Sequence, residues 1–446
     1  MNYYDITDLI NHSRFSTKVS GIQRVVLEGL KKIGEDGTVF FISPFSDNKY
    51  VVNNMAFNDL EDLSCFKDFF YYSDLSCATS RLTCYRYIDK YLSKFKWYRK
   101  PINLLLRLAL SKYNPLSSIV MKIITNRALN KLDDCNGFDI KIIDKFDNNS
   151  NILLFGGVWN FQNKYESIAE EAKKSDISLI FMVYDMIPIV CEYVPDELKE
   201  MFNKYIPFVL DSADKIIVNS QSCKLDLENY IDNSNSNRPE MKVVHLAHYL
   251  PLSKKESSIV PLRTRKLSKE KYVLCVGSIE SRKNHINLLI LWRKFINSAN
   301  YANEKLVIVG RLLWDTESVM HLLHSTGFLY GTVVLIESAS EDELNFLYEN
   351  CRFTVFPSHY EGWGLPLGES LRYEKPCLHF NNSSLVEASY GMTTYVDYLD
   401  YSHFYDKFVA LMQDDIFYVS EKNRIDITRL RSWDDFANEI YKVIIQ

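Results

Sequence analysis

Short apolar stretches rich in β-branched and aromatic residues alternate with helical patterns twice along this chain of 446 residues. Such alternation is typical of parallel sheets whose strands are joined by crossover helices. The stretches predicted as strands are NYYDI, GTVFFIS, NILLFGG, ISLIFMVYD, KIIVNS and KVVHLA in the first half, and KYVLCVGS, EKLVIVG, GTVVLIES, CRFTVFPS and KPCLHFN in the second. The sequence therefore predicts an α/β fold with two Rossmann-like, doubly wound domains.

A polar, basic stretch at 252–271 separates the two series of strands and has the composition of a linker. We expect an N-terminal domain at 1–251 with an insertion near 54–150, and a C-terminal domain at 272–425. An amphipathic helix within 426–446 is expected to pack back across the domains. Open α/β sheets bind ligands at the carboxyl ends of their strands, so the two domains are expected to face a cleft there.

Composition excludes several classes of protein. The formal net charge of −5 argues against a nucleic acid partner. Nine cysteines without a CxxC pair argue against a disulfide framework or a zinc site and favour a reducing, cytoplasmic location. The N-terminal sequence lacks the pattern of a signal peptide, and no apolar run reaches the ~20 residues that a membrane-spanning helix needs.

Residues 90–131 depart from this acidic balance, because they carry ten lysines and arginines and no Asp or Glu. Aromatic residues and the apolar stretch INLLLRLAL lie between these cations. One interpretation is a basic amphipathic segment that lies on an anionic membrane, which would place the protein on the inner face of the plasma membrane. The other is a helical insertion whose lysines are solvated.

The predicted strand CRFTVF runs into the stretch PSHYEGWGLPLGESLRYEKP, a glycine turn that opens a helix. Backbone amides at such a helix N-terminus suit a phosphate or diphosphate, and the candidates are Gly362, Gly364 and the amides of 365–367. Glu361 and Glu369 would be repelled by a diphosphate, so they more plausibly accept hydrogen bonds from the hydroxyls of a sugar. Acids that cap a helix are the alternative.

This stretch resembles the E-x7-E signature of the retaining family-four glycosyltransferases, also called group 1, which have the GT-B fold. The match includes both glutamates, the Gly-aromatic-Gly-Leu-Pro turn and the later proline. The resemblance implies that Glu361 faces the donor sugar and the reaction centre, and that Glu369 binds the ribose of the nucleotide. It also implies that the sugar and diphosphate are held by Gly362, Gly364, Leu365 and Pro366.

A second motif, VGSIESRKNHINLL, follows a predicted strand and places Arg282 and Lys283 at the start of a helix. Two cations there would stabilise the charge released when a nucleotide leaves a sugar, although two ordinary surface cations are the alternative. Family members often carry arginine where this chain has Ser278, so we expect Arg282 to share this role with Lys283. Glu387, in a later loop, is either a helix cap, a solvated residue or a ligand.

The N-terminal domain is expected to contribute a glycine loop near the diphosphate. The stretch STKVSGIQRVVLEGL resembles the family's Gly-Ile loop, with Gly21 and Ile22 at the start of a helix. Arg24, in the first turn of this helix, would contact phosphate or acceptor, or pair with an acid.

The stretch FMVYDMIPIVCEYVP resembles the family's strand-end segment, with Tyr184 where many relatives have histidine. Tyr184 and Asp185 are assigned to the acceptor side, where Asp185 would bind the acceptor hydroxyl or stabilise developing positive charge. The alternative for Asp185 is a helix cap. We interpret Ser220 and Ser222 as caps and Tyr348 as structural, and we assign no role to His245 or His248.

These features predict a transferase that moves a hexose-type sugar, with retention, from a nucleotide diphosphate sugar to a hydroxyl of a glycan or polyprenol-linked acceptor. Synthesis of a bacterial surface polysaccharide, O-antigen or capsule, is the expected role. We expect no cofactor and no metal, because the cations and helix amides supply the electrostatic stabilisation. The alternatives are a nucleotide-sugar epimerase and a sugar-nucleotide-binding scaffold. A dinucleotide oxidoreductase is disfavoured because no G-x-G-x-x-G follows the first strand of either half.

Overall fold

The structure is a computed structural model that describes the chain in several parts. The described residues are 1–16, 19, 21–34, 37–43, 47–53, 57, 60, 63–66, 69, 139–234, 236–248 and 260–446. The basic segment at 90–131, most of the expected insertion at 54–150 and residues 252–259 of the expected linker lie outside them. Both interpretations of the basic segment stay predictions.

Two sheets are formed by the strands of the described residues. The strands are β1 (Asn2–Asp5), β2 (Thr38–Ile42), β3 (Lys49–Asn53), β4 (Asp139–Ile143), β5 (Asn151–Leu154), β6 (Ser178–Val183), β7 (Lys215–Val218), β8 (Glu240–Val243), β9 (Tyr272–Val276), β10 (Lys305–Val309), β11 (Val333–Ile336), β12 (Phe353–Phe356), β13 (Cys377–Asn381) and β14 (Thr394–Asp397). The strand order is β4-β3-β2-β1-β5-β6-β7-β8 in the first sheet and β11-β10-β9-β12-β13-β14 in the second. Only β3 pairs antiparallel with its neighbours, β2 and β4, among the described pairings.

Helices connect most of these strands, as expected for crossover connections. They are α1 (Thr7–Ser13), α2 (Ile22–Ile33), α3 (Gln162–Ser175), α4 (Ile187–Val190), α5 (Asp196–Ser212), α6 (Gln221–Ser234), α7 (Leu262–Arg265), α8 (His285–Ile296), α9 (Glu317–Ser325), α10 (Gly327–Gly331), α11 (Glu341–Asn350), α12 (Leu365–Arg372), α13 (Leu385–Ala388), α14 (Tyr401–Gln413), α15 (Asp415–Asn423) and α16 (Trp433–Ile445). Within the described part of the chain, no helix combines the length and the apolar composition needed to cross a bilayer.

The central strands form because their apolar side chains are buried on both faces. All five residues of β2 are buried, as are the last five of β6. Strands covered on both faces read as continuous apolar runs, and TVFFI and SLIFMV are such runs. In the second sheet, Trp292, Phe295 and Phe408 contact one another beside the strands and form the centre of the core.

The described chain divides into two compact units, Met1–Phe181 with Ile444–Gln446 and Met182–Val443. The division falls within β6, well before the predicted linker. Inside the second unit, hydrogen bonds join the part before that linker to the part after it. For example, the Ser220 hydroxyl donates to the carbonyl oxygen of Gly362 over 3.0 Å. The predicted domain boundaries stay a prediction.

Each stretch predicted as a strand contains or overlaps one of the observed strands. The prediction missed β3, β4 and β14. Of the residues of β4 none is buried, and β14 alternates between buried and exposed residues, so neither has a continuous apolar run. The final amphipathic helix is confirmed as α16, and its predicted apolar face is buried.

Candidate active site

The predicted glycine turn lies at the carboxyl end of β12 and leads into α12. Gly364 precedes the helix with φ of 99°, a left-handed conformation that favours glycine. Pro366 has no amide proton, and the Leu367 amide donates to the Gly364 carbonyl oxygen over 3.0 Å. Of the three residues predicted to offer amides at 365–367, Leu365 is therefore the one whose amide suits a ligand. This corrects the broader expectation for that stretch.

Glu361 lies just before this turn, buried to 5% exposure, and its carboxylate contacts two cations. Lys283 Nζ lies 2.6 Å from Oε1, and Arg282 Nη1 lies 3.0 Å from Oε2. Burial alone would raise the pKa of Glu361, but the two cations outweigh it and lower the pKa to about 2. The carboxylate is therefore ionised at neutral pH. The structure brings Glu361, Arg282 and Lys283 into direct contact.

Glu280, which sequence reasoning missed, holds Arg282 in place. Its carboxylate accepts a hydrogen bond from Arg282 Nη2 over 2.5 Å and another from the Ser278 hydroxyl over 3.0 Å. Arg282 also donates to the carbonyl oxygen of Tyr360. Ser278 stands where family members often carry arginine. Its hydroxyl donates to Glu280 and so helps to position the carboxylate that Arg282 contacts. Glu280 and Glu361 therefore share the two cations of this cluster.

Asp185, the fourth predicted catalytic residue, lies beside the same turn. A Cβ placed on Gly362 would lie 2.8 Å from Asp185 Cβ and 2.8 Å from the Tyr184 carbonyl oxygen, so the two segments touch. Burial raises the pKa of Asp185 to about 6, with Arg282 opposing the increase. The carboxylate also accepts a hydrogen bond from the amide of Ile187 over 3.1 Å, as the helix-cap interpretation expects. The acceptor roles of Tyr184 and Asp185 stay predictions.

Glu369 is buried in α12 and accepts a hydrogen bond from the Tyr348 hydroxyl over 2.7 Å. Tyr348 also lies 3.3 Å from the carbonyl oxygen of Pro366, and its ring is fully buried. The structural interpretation of Tyr348 is confirmed, and its hydroxyl fixes one face of the Glu369 carboxylate. The binding of ribose by Glu369 stays a prediction.

Glu387 is a helix cap, which was one of the three interpretations left open. It accepts hydrogen bonds from the amides of Gln221, at 2.7 Å, and Ser222, at the start of α6. The imidazole of His245, to which we had assigned no role, lies 2.6 Å from the same carboxylate. Ser220 accepts the Cys223 amide and so caps α6, as predicted, whereas Ser222 lies within α6 and its amide is itself capped by Glu387.

In the first unit, Gly21 precedes α2 with φ of 53°, and Ile22 begins the helix as predicted. Gln23 donates to the buried carboxylate of Asp8 over 2.9 Å. Asp5, at the end of β1, is also buried. Arg24 lies in the first turn of α2, and its contact with phosphate or acceptor stays a prediction. The two aspartates carried no motif by which sequence reasoning could have found them.

The expectation that no metal is needed concerns the acidic, histidine and cysteine side chains. Within the residues that the structure describes, no group of three or more His, Cys, Asp or Glu side chains is placed to hold a metal ion. Metal independence itself stays a prediction.

Comparisons with known proteins match the segment that contains Glu361, Arg282 and Lys283. Residues 262–389 match the family described as glycosyl transferases group 1. The Escherichia coli O-antigen chain mannosyltransferase B is 27% identical over 205 residues, which is 46% of this chain and 53% of that protein. The Escherichia coli serotype-specific mannosyltransferase WbdA is 25% identical over 213 residues, 47% of this chain and 26% of that protein. The match thus spans 53% of the length of the first relative and 26% of the length of the second.

Two solved structures share the overall fold. The Anabaena protein HepE in complex with UDP and glucose has a TM-score of 0.51 at 12% identity, covering 100% of this chain and 99% of that one. An Escherichia coli structure described as trehalose-6-phosphate bound with UDP-2-fluoro glucose has a TM-score of 0.58 at 8% identity, with the same coverage. These likenesses confirm the expected fold class, GT-B.

Proposed function

We propose, from the premise that residues 262–389 belong to the group 1 glycosyl transferases, that this chain transfers a hexose-type sugar with retention at the anomeric carbon. The donor is a nucleotide diphosphate sugar. The acceptor is a hydroxyl of a glycan or of a polyprenol-linked glycan. The single observation that carries the proposal is the buried contact of Glu361 with Arg282 and Lys283 at the carboxyl end of β12.

Arg282 and Lys283 can exchange their contacts with the Glu361 carboxylate for contacts with a bound diphosphate. In the described structure they neutralise Glu361, and a bound diphosphate would compete for the same charges. When the bond between sugar and nucleotide breaks, negative charge grows on the leaving phosphate, and Lys283 and Arg282 would stabilise it. Because this charge comes from the protein, we propose that the reaction needs no divalent metal.

Glu361 would act as an anion in this reaction. With a pKa of about 2 it holds no proton at neutral pH, so it is suited to stabilise positive charge on the sugar ring and is a poor general acid. We propose that the acceptor attacks from the face that the nucleotide leaves, through an oxocarbenium-like state, which retains the anomeric configuration. The Leu365 amide and the N-terminus of α12 would hold the diphosphate, and Glu369 the ribose.

The comparisons support the class of substrate. HepE was solved with UDP and glucose, and the second structure is described with UDP-2-fluoro glucose. The curated relatives are named as O-antigen or serotype-specific mannosyltransferases. We infer a role in bacterial surface polysaccharide synthesis, in the cytoplasm or at the inner face of the plasma membrane. Contact with an anionic membrane through residues 90–131 is part of this proposal.

The test is release of nucleotide from a panel of UDP-, GDP- and TDP-sugars, with and without bacterial lipid extract and with and without EDTA. Glu361→Gln and Lys283→Met should each reduce release at least about 100-fold. The matched control is Glu374→Gln, because Glu374 makes an exposed ion pair with Lys422. This variant should release nucleotide at the normal rate.

Release from one donor that needs the extract and survives EDTA would support the proposal, and NMR of the product would show the anomeric configuration. An isomerised sugar without released nucleotide would instead indicate an epimerase. Tight binding of every donor without turnover would indicate a scaffold.

A further inference from the structure

An aromatic surface lies beside the Glu361 turn and has no role in the chemistry proposed above. The ring of Tyr193 stacks on the imidazole of His359, with centroids 4.1 Å apart and an angle of 12° between the planes. Tyr193 is 41% exposed, whereas His359 is buried to 9% exposure. One face of the Tyr193 ring therefore packs on His359, and the opposite face is accessible.

Hydrogen bonds fix this surface to the candidate active site. His359 Nδ1 lies 2.9 Å from the Tyr398 hydroxyl, and the His359 amide donates to the Arg282 carbonyl oxygen over 2.8 Å. The hydroxyl of Ser281, the residue before Arg282, donates to the Tyr193 carbonyl oxygen over 3.2 Å. The aromatic surface is therefore held by the same segment that positions the site's cations.

A small apolar cluster supports the chain that carries Tyr193. Ile187, Cys191 and Val194 are buried together, and Trp314 and Tyr360 pack against them. Residues on both sides of Tyr193 are therefore anchored. An anchored aromatic ring loses little conformational freedom when a ligand stacks on it, because its position is fixed in advance.

The exposed part of this surface has an apolar face and a polar edge. Tyr398 is 40% exposed and stands at right angles to His359, with an angle of 88° between the rings. The Tyr398 hydroxyl lies at the edge of His359, and the Tyr193 hydroxyl lies at the edge of the Tyr193 ring itself. A pyranose has the matching pattern, with C–H groups on its face and hydroxyls around its rim. Binding sites of this kind combine aromatic area with a few polar groups.

We propose that Tyr193, backed by His359 and bordered by Tyr398, is a stacking platform for a pyranose ring of the carbohydrate acceptor. This inference rests on the proposed function, which requires an acceptor sugar near the reaction centre. Tyr193 follows Asp185 by eight residues, and Ile187, Cys191 and Val194 of the same segment are buried together. Because Asp185 is the residue expected to bind the acceptor hydroxyl, we assign the platform to the acceptor.

The first test needs no donor. Saturation-transfer NMR would measure binding of methyl α-D-mannopyranoside and methyl α-D-glucopyranoside to the full chain. We expect signals from the ring C–H protons with the parent protein and with Tyr193→Phe, which keeps the ring. The signals should fall at least about fivefold in Tyr193→Ala and in Tyr193→Leu, which keeps the apolar volume without the aromatic face. Tyr330→Ala is the control, because Tyr330 is 72% exposed and has no part in the site.

The second test uses the donor found in the nucleotide-release panel and the same glycosides as acceptors. Tyr193→Ala should raise the KM for the acceptor about tenfold, with kcat and the KM for the donor little changed. An unchanged acceptor KM, or full saturation-transfer signals in Tyr193→Ala, would overturn the platform while leaving the transferase intact. Absence of signal from the parent protein would overturn it as well. Binding at Tyr193 without turnover of any donor would instead overturn the proposed function and leave the platform standing as a sugar-binding site.

Discussion

The carboxyl ends of β1 and β12 both hold buried acids, yet the two acids have opposite character. Each strand lies inside its sheet, with a neighbour on both sides. At β1, the partners of Asp5 are neutral, because it accepts hydrogen bonds from the Thr7 hydroxyl and from the Tyr165 hydroxyl over 2.5 and 2.7 Å. Burial raises the pKa of Asp5 to about 6.

At β12, the partners are cations, and the pKa of Glu361 is lowered to about 2. The place in the fold is the same, so neighbouring side chains decide the charge. Arg282 and Lys283 belong to the segment after β9, the strand next to β12 in the sheet. The second unit therefore places cations beside its buried acid, whereas the first holds buried acids whose pKa values are raised and which accept hydrogen bonds from uncharged side chains. The predictions below test this difference.

The largest expected effect is loss of the ionised carboxylate. Glu361→Gln leaves Arg282 and Lys283 buried without their shared partner, and we expect a loss of about 3 kcal/mol in the free energy of unfolding. Urea denaturation at pH 7 measures this change. Asp5→Asn should cost less than about 1 kcal/mol, because its partners are neutral.

Glu374→Gln provides the baseline for an exposed ion pair. Glu374 Oε2 lies 3.5 Å from Lys422 Nζ, and both side chains are about half exposed, so the change should stay within about 0.5 kcal/mol. If Asp5→Asn proved as costly as Glu361→Gln, the contrast between the two strand ends would be wrong.

The glycine turns of the two units should also respond differently. A Cβ at Gly362 would lie 2.8 Å from the Tyr184 carbonyl oxygen, and a backbone atom cannot yield without moving the turn. At Gly21 the same Cβ meets no atom of the described residues within 4 Å, and the strain of φ at 53° is the effect that the structure shows. We expect about 2 kcal/mol of destabilisation for Gly362→Ala and about 1 kcal/mol for Gly21→Ala.

Nucleotide release separates these two glycines further. Gly362→Ala displaces the segment that carries Glu361, so release should fall more than tenfold. Thermal unfolding would confirm that the variant is folded at the assay temperature. Normal release by Gly362→Ala would show that the turn tolerates the displacement and does not position the carboxylate.

Stability should change with pH in opposite directions at the two strand ends. The folded pKa of Asp5 exceeds its ordinary value of 3.8, so its contribution is fully present below pH 3.8 and is lost as the pH rises through 6. The folded pKa of Glu361 lies below 4.5, so its contribution is present above pH 4.5 and is lost as the pH falls towards 2. Each full change should approach about 3 kcal/mol.

The measurement compares each variant with the parent protein across the pH range. Relative to the parent, Asp5→Asn should gain stability against urea as the pH rises from 4 to 7. Relative to the parent, Glu361→Gln should gain it as the pH falls from 4.5 to 3. Parallel pH profiles for the two variants would contradict the assigned charge states.

The sequence indicated where the cluster around Glu361 lies because the features of that cluster are local. Glu361, Gly364 and Glu369 lie in one stretch, and a strand, a glycine turn and a helix N-terminus can be read from adjacent residues. The proximity of Arg282 and Lys283 followed from the rule that parallel strands meet at one edge of a sheet. The family resemblance supplied the roles.

The parts that sequence missed depend on distant pairing. Asp5 meets Tyr165 across 160 positions, and Glu387 caps a helix that begins 166 positions earlier. No local pattern marks such contacts. Glu280 was missed for another reason, because a single acid beside two cations looks like an ordinary surface charge until its burial is known.

The smallest expected effect concerns a hydrogen bond from an uncharged donor in the first unit. The Gln23 amide donates to Asp8 over 2.9 Å, and burial raises the pKa of Asp8 although this bond opposes the increase. Gln23→Met keeps most of the side-chain volume and removes the donor, so we expect a loss of about 1 kcal/mol at pH 7. The pKa of Asp8 should rise further, so the loss should shrink as the pH falls and the carboxyl gains its proton. A loss of 3 kcal/mol or more would mean that Asp8 is held as a charged group, as Glu361 is, and the two strand ends would then differ in degree and not in kind.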